Sequence, residues 1–392
     1  MRRLQERAAE RSALSVSGLA PRRAPSPAKV VEAEVLIRDV AFGGDGVGSL
    51  PDGRIAFVPF TLAGERVRVR VTREKKNRVE AKLLEVRAPS PARATPLCEV
   101  FGRCGGCAYQ HADYAEQTRI KLKQTRDALE RIGRLEALPE IHLEAAPAPW
   151  GYRNKITMHS GPGGEIGFFA ADGQKVVEVT HCPIADSAVN AEIARLRRSG
   201  RRPRHAVIEN LAERQGSPEG SFAQVNRAMA ERLLAWSREQ AGGARLLDAY
   251  CGAGFFAFGL GDLFEEVCGV DRDARAIAAA TARAARERRS HLRFFAASVD
   301  ERLGWFLENG APARTVLLLD PPREGLAPAV ADTVANSGCA RVLYVSCDPA
   351  TFARDLGKLA GRDGRFRVVS LALFDMFPQT ASIEAAARLD PR

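Results

Sequence analysis

Ala244-Arg-Leu-Leu-Asp-Ala-Tyr-Cys-Gly-Ala-Gly254 is the stretch that decides the fold. An apolar run of strand length reaches an acid, Asp248, and then passes through Gly-Ala-Gly into a helical stretch. Small residues at such a turn let the backbone approach a ligand, and the unsatisfied N–H groups of the following helix face it. Downstream, EEVCGVD, LRFFAA, RTVLLLD and ARVLYVS repeat the buried-strand pattern with helical stretches between them. That alternation predicts an α/β, Rossmann-like doubly wound parallel sheet over residues 231–392. Asp271 closes the second strand, 23 residues after Asp248, where an acid can accept both hydroxyls of an adenosine ribose.

Two later strands end in polar turns at the rim where such sheets hold their ligands. One turn is Asp320-Pro-Pro-Arg-Glu-Gly325 and the other is Ser346-Cys-Asp-Pro-Ala-Thr351. The prolines stiffen both, so Asp320 and Cys347 are presented in fixed positions. Gly252-Ala-Gly254-Phe-Phe-Ala257 also fits the loose G-x-G-x-x-[GA] pattern of a dinucleotide site. A dehydrogenase leaves Asp248 and the two later turns unexplained, and a methyltransferase accounts for them. Adenine N6-methyltransferases use a similar turn with an aromatic after the prolines, where this chain has Arg323. A cysteine becomes useful when the target atom is carbon: C5 of uracil is a poor nucleophile until a thiolate adds to C6. The bland alternative for Cys347 is a small buried hydrophobe.

Cys98, Cys104 and Cys107 follow a C-x5-C-x2-C spacing with Gly105-Gly106 inside it, and Cys182 stands in His181-Cys-Pro183. Four thiolates can hold zinc or an iron–sulfur cluster, and the spacing does not choose between them. Cys251, Cys268 and Cys339 show no ligand pattern.

Upstream the text changes. Residues 1–29 mix Arg, Ser, Pro and Ala without periodicity and read as a flexible basic arm. Between 30 and 90, short strands are broken by Gly clusters, and Arg66-Val-Arg-Val-Arg-Val71 alternates as a half-buried strand does. This predicts a five-stranded, OB-like barrel that resembles the TRAM domain. Its outer face with Lys75, Lys76 and Arg78 suits a phosphate backbone, or is plainly solvated. Residues 91–230 form a less regular α+β centre carrying the four cysteines and an Arg run from Arg195 to Arg204. The net charge of +10 favours polyanions. No apolar run approaches the roughly 20 residues that span a bilayer, and the N-terminus lacks a secretory apolar stretch, so a cytoplasmic protein with reduced cysteines is expected.

With the motifs in view, the chain from about 30 to 390 resembles the RNA 5-methyluridine methyltransferase family. The strings SFAQVN, LDAYCGAG, DPPREGL, YVSCDPATFARDL and DMFPQTASIE stand in that family's order. The resemblance implies S-adenosylmethionine at Gln224, Tyr250, Asp271 and Asp320, Cys347 as nucleophile, and Glu384 as the base that removes the C5 proton. C-x5-CGGC with a distant Cys-Pro resembles the [4Fe–4S] site of the ribosomal members, which implies cluster ligation by Cys98, Cys104, Cys107 and Cys182. With the barrel, this points to 23S ribosomal RNA ahead of transfer RNA, and to a monomer.

The target uridine must leave its stack, and Phe222 or Tyr250 is placed to stack on it. Phe255 and Ser298 stand where familiar members carry Asn, Ala381-Ser382 replaces a His pair, and Asp348 replaces Asn. A negative Asp348 opposes a thiolate at Cys347 unless its charge points away. The alternative from another class is an iron–sulfur RNA-binding assembly factor without catalysis.

Overall fold

A computed structural model describes residues 32–210 and 224–392; the N-terminal arm and Phe222 lie outside the described residues. Strands β1 (Glu32–Val40), β2 (Asp45–Ser49), β3 (Ile55–Pro59), β4 (Arg66–Glu74) and β5 (Arg78–Ala88) close a barrel in the order β1-β2-β3-β5-β4. The alternation in β4 is the cause: Val67 and Val69 are fully buried against Val35, Val58 and Val79 while the arginines point outward. The outward row is largely neutralised. Arg68 and Arg70 pair with Glu32, Arg66 with Glu34, and Arg73 and Lys75 with Glu80. Lys76 has no ion-pair partner among the described residues.

Helix α1 (Tyr114–Arg131) starts at Asp113, whose side chain accepts from the Glu116 amide. Strand β6 (Ile141–Glu144) follows. A small sheet then forms from β7 (Lys155–Ser160), β8 (Ile166–Phe169), β9 (Val176–Glu178) and β10 (His205–Glu209) in the order β10-β7-β8-β9, covered by α2 (Ser187–Arg198).

The remainder alternates: α3 (Arg227–Gln240), β11 (Arg245–Ala249), α4 (Phe255–Leu260), β12 (Glu266–Asp271), α5 (Ala274–Arg286), β13 (Leu292–Ala296), α6 (Val299–Glu308), β14 (Thr315–Leu319), α7 (Pro328–Ala335), β15 (Arg341–Ser346), α8 (Pro349–Ala360), β16 (Phe366–Phe374) and β17 (Glu384–Pro391). The sheet order is β13-β12-β11-β14-β15-β17-β16-β6. The first five strands run parallel, and β17 lies antiparallel between β15 and β16. Chain order reverses beside β11, which places the switch-point crevice at the ends of β11 and β14. The antiparallel insertion departs from the all-parallel order of a dinucleotide-binding sheet.

Within residues 91–230, strand β6 pairs with β16 and Leu129 of α1 shares a buried core with Phe352 and Leu356 of α8, while β7 to β10 form a sheet of their own.

Candidate functional site

The loop after β11 turns sharply. Tyr250, Gly252 and Gly254 all have positive φ, at 65°, 52° and 87°. At Gly254 a Cβ would lie 2.9 Å from the Phe258 ring and 3.1 Å from that of Phe294, so no larger residue fits. The Asp271 carboxylate accepts from the amides of Gly252 and Asp273, each at 2.8 Å, and so ties the ends of β11 and β12 together. Tyr250 donates its hydroxyl to Asp300 at 3.2 Å. Asp248 is fully buried: Oδ2 accepts from the Ala257 amide at 2.9 Å, while Oδ1 has no partner. Burial holds its carboxyl far above the usual range.

Cys347 follows β15, and Glu384 opens β17. Ser346 faces Ala385 in the antiparallel register, and continuing it one step past the end of β15 sets Cys347 opposite Glu384 at the rim, near enough for the Glu384 charge to act on the thiol. The Cys347 thiol is pushed up to about 11, by burial first and then by the charge of Glu384; Asp320 adds to this, and Arg323 opposes it both as a charge and as a hydrogen-bond donor. Burial and Asp271 push Asp320 up to about 7. Burial, then Asp320, drives Glu384 well above the carboxylate range, again against Arg323. The rim is therefore a ring of acids with a thiol and one guanidinium inside it.

Helix α8 holds this arrangement. Thr351 Oγ1 donates to the Arg323 carbonyl at 3.0 Å, and the Arg354 guanidinium donates to the carbonyls of Glu324 and Leu326 at 3.0 and 3.1 Å. Asp355 accepts from the Leu326 amide at 2.9 Å and from the Tyr344 hydroxyl at 2.6 Å. Asp348 caps the helix, accepting from the amides of Ala350 and Thr351 at 2.9 and 3.0 Å. Its charge faces the helix N-terminus, where it is favourable, and away from the thiol.

The rim unites Tyr250, Asp271, Asp320, Cys347 and Glu384. The backbone carbonyl of Gln224 accepts from Asn154 Nδ2 at 3.2 Å, which fixes its main chain beside the small sheet. Phe255 begins α4 with its ring edge-on to Phe256, Ser298 sits at the N-cap of α6, and Ala381 packs against the barrel junction. Sequence reasoning treated Arg323 only as the absence of an aromatic. A cation following Asp-Pro-Pro, facing a reactive-cysteine turn, was the signal available.

Cys98, Cys104, Cys107 and Cys182 line one cavity of about 230 Å³ together with Val100, Ile156, Phe168 and Gln110. Burial raises the thiols of Cys104, Cys107 and Cys182, that of Cys107 to about 12. Among the described residues, no three His, Cys, Asp or Glu side chains converge on a point that would hold a single metal ion.

Residues 208–391 match the tRNA (Uracil-5-)-methyltransferase family model, and residues 29–84 match the TRAM domain. An uncharacterized RNA methyltransferase of Thermosynechococcus vestitus is 31% identical over 91% of this chain and 97% of its own. The 23S rRNA (uracil(1939)-C(5))-methyltransferase RlmD of Alkalilimnicola ehrlichii is 30% identical over 90% of this chain and 95% of its own. The crystal structure of Pyrococcus abyssi tRNA (uracil-54, C5)-methyltransferase with S-adenosyl-L-homocysteine superposes with a TM-score of 0.69. It covers 91% of this chain and all of that one at 24% identity, a likeness of fold.

Proposed function

The chain belongs to the RNA uracil-5 methyltransferase family and carries a TRAM domain, and on that ground we propose that it methylates C5 of a uridine in 23S ribosomal RNA from S-adenosylmethionine. The observation that supports this most is the rung on which Cys347 and Glu384 stand together with Arg323 and Asp320 beside them.

The rim suits the methyl donor. Burial holds Asp248, Asp320 and Glu384 toward their neutral forms around the switch point, and a cationic ligand is favoured there because it would return them toward carboxylates. Asp271 would take the ribose hydroxyls, and Tyr250, Asp320 and Gln224 complete the proposed set. When bound, S-adenosylmethionine supplies a methyl group on a sulfonium whose positive charge lowers the pKa of the thiol and acids around it.

Cys347, as thiolate, bonds to uracil C6, and the displaced electron pair reaches C5, which takes the methyl group. Arg323 stabilises the thiolate before attack. Glu384 then removes the C5 proton, the C6–S bond breaks, and its electron pair returns to Cys347. Burial raises the Glu384 carboxyl well above the ordinary carboxylate range, which makes it a stronger base for that step.

The four-cysteine pocket fits an iron–sulfur cluster. Ligation would remove the cost of burying free thiols, and four cysteines lining one cavity are a donor set for such a cluster. The cluster would be held by Cys98, Cys104, Cys107 and Cys182, and methyl transfer needs no redox step from it.

The test is mass mapping of 5-methyluridine in RNA from a strain lacking the gene, paired with transfer of labelled methyl from S-adenosylmethionine to its RNA by the purified protein. One 23S uridine losing its methyl and regaining it in vitro is expected. A lost transfer RNA site would redirect the substrate, and no incorporation at all would leave an RNA-binding assembly factor.

A further inference from the structure

Four consecutive carbonyls precede Glu384, and each is held by a different part of the chain. Met376 O accepts from Asn226 Nδ2 at 3.2 Å, Phe377 O from Lys121 Nζ at 3.0 Å, and Pro378 O from the Tyr152 hydroxyl at 2.9 Å. Gln379 O accepts from two successive amides, Ala108 and Tyr109, each at 2.9 Å. Gln379 is buried, takes a φ of 70°, and exchanges two hydrogen bonds with the Gln117 side chain, at 2.9 Å through its amide and 3.0 Å through its own side chain. Lys121 also forms a fully buried ion pair with Asp375 at 2.6 Å.

A loop this thoroughly held has its course set by its donors. A non-glycine residue at positive φ persists only where its surroundings over-determine it. Two of the donor groups adjoin the four-cysteine pocket: Ala108 and Tyr109 directly follow Cys107, and Tyr152 precedes Arg153, which lines the cavity. Gln110, also in the wall, accepts from the Cys98 amide at 3.1 Å. Ala381 packs with Tyr109, Val40 and Leu62 in one small core, so the barrel bears on the same loop.

We infer that Tyr152, Gln117 and Gln379 are positioning residues that tie the state of the cysteine pocket to Glu384, so that filling the pocket speeds release of methylated RNA and not methyl addition. This rests on Glu384 being the base proposed above. Methyl transfer to C5 precedes the base step, so a displaced Glu384 leaves the first half of the reaction running and lengthens the life of the Cys347–RNA adduct.

Tyr152→Phe removes only the hydroxyl, and Gln117→Ala removes the reciprocal pair together with the 2.9 Å bond from Gln117 Nε2 to the Ala112 carbonyl. In a single turnover with labelled S-adenosylmethionine, both variants should methylate RNA at close to the wild-type rate. Their adducts, seen on denaturing gels, should decay more slowly, by about fivefold in Tyr152→Phe, the factor that one lost hydrogen bond gives, and by more in Gln117→Ala. Equal slowing of both steps, or of neither, overturns the inference. A second measurement needs no variant: hydrogen exchange across residues 375–384 of the anaerobic wild-type protein, before and after loading with ferrous iron and sulfide. Exchange should slow by about fivefold on loading, and unchanged exchange overturns the link. If wild-type protein labels no RNA, the functional reading fails, while the exchange result still decides whether pocket and loop are coupled.

Discussion

Thr351 Oγ1 donates to the backbone carbonyl of Arg323 over 3.0 Å, so the helix that follows the Cys347 turn also holds the loop that supplies the guanidinium acting on the thiol. The two reaction turns come from different strands, yet Thr351, Arg354 and Asp355 fasten them as one unit. The distance between thiol and cation is therefore fixed by α8 and not by either turn alone. That arrangement matters because burial and two carboxyls all oppose the thiolate.

Replacing Arg323 with Gln should move the thiol of Cys347 further above about 11. At any pH below the midpoint, the thiolate fraction then falls about tenfold for every pH unit by which that midpoint rises. The rate of Cys347 alkylation, followed by peptide mass against pH, should drop and its midpoint should move to higher pH. Thr351→Val should move it in the same direction by less. A profile unchanged in Arg323→Gln would remove the guanidinium from the site.

RNA binding by the barrel should depend on Lys76 more than on Lys75. Lys75 already lies 2.7 Å from Glu80, so its charge is largely neutralised within the barrel, while Lys76 has no ion-pair partner among the described residues. If Lys76 meets a phosphate, Lys76→Ala should flatten the dependence of log affinity on log salt by roughly one. An unchanged slope returns that hairpin to solvent.

The pocket gives a plain observable. Protein purified without oxygen should be brown and contain iron and sulfide, and Cys107→Ser should lose the colour and melt at a lower temperature, since ligand binding to the folded state contributes stability. Colourless protein carrying one zinc would replace the cluster assignment.

The parallel sheet was legible because its strands are continuous apolar runs, and the Arg-Val alternation announced the barrel because Val67 and Val69 had to face inward. Cys347 and Glu384 stood in recognisable strings, but their being rung neighbours depends on β17 entering antiparallel, a pairing no local pattern encodes. The basic barrel face was half legible: arginine positions show in the sequence, while Glu32, which neutralises Arg68 and Arg70, lies on a strand 36 and 38 residues away from them. Asp348 was suspect as a charge beside the thiol, and its capping of α8 is visible only once the helix exists. The hold on Met376 to Gln379 is made through carbonyls, which carry no residue identity at all.

Glu384 offers the last test, because one substitution has two readouts. Its carboxyl titrates well above the ordinary range in the folded chain, chiefly through burial. An acid raised in this way binds its proton more tightly folded than unfolded. The stability it contributes is whole below the unfolded value of about 4.3 and is lost as pH rises toward the folded one. Glutamine carries no such loss, so Glu384→Gln should melt near the wild type in acid and above it at neutral pH, the gap widening as pH climbs from about 5. The same variant keeps Cys347 and the rim, so it should still place a methyl group on RNA. Without a base the C5 proton stays, the C6–S bond cannot break, and a protein–RNA adduct should survive denaturing gels. Cys347→Ala should give neither adduct nor product. Normal turnover by Glu384→Gln would assign the proton to another group, and an equal melting temperature at all pH would place the Glu384 carboxyl in water.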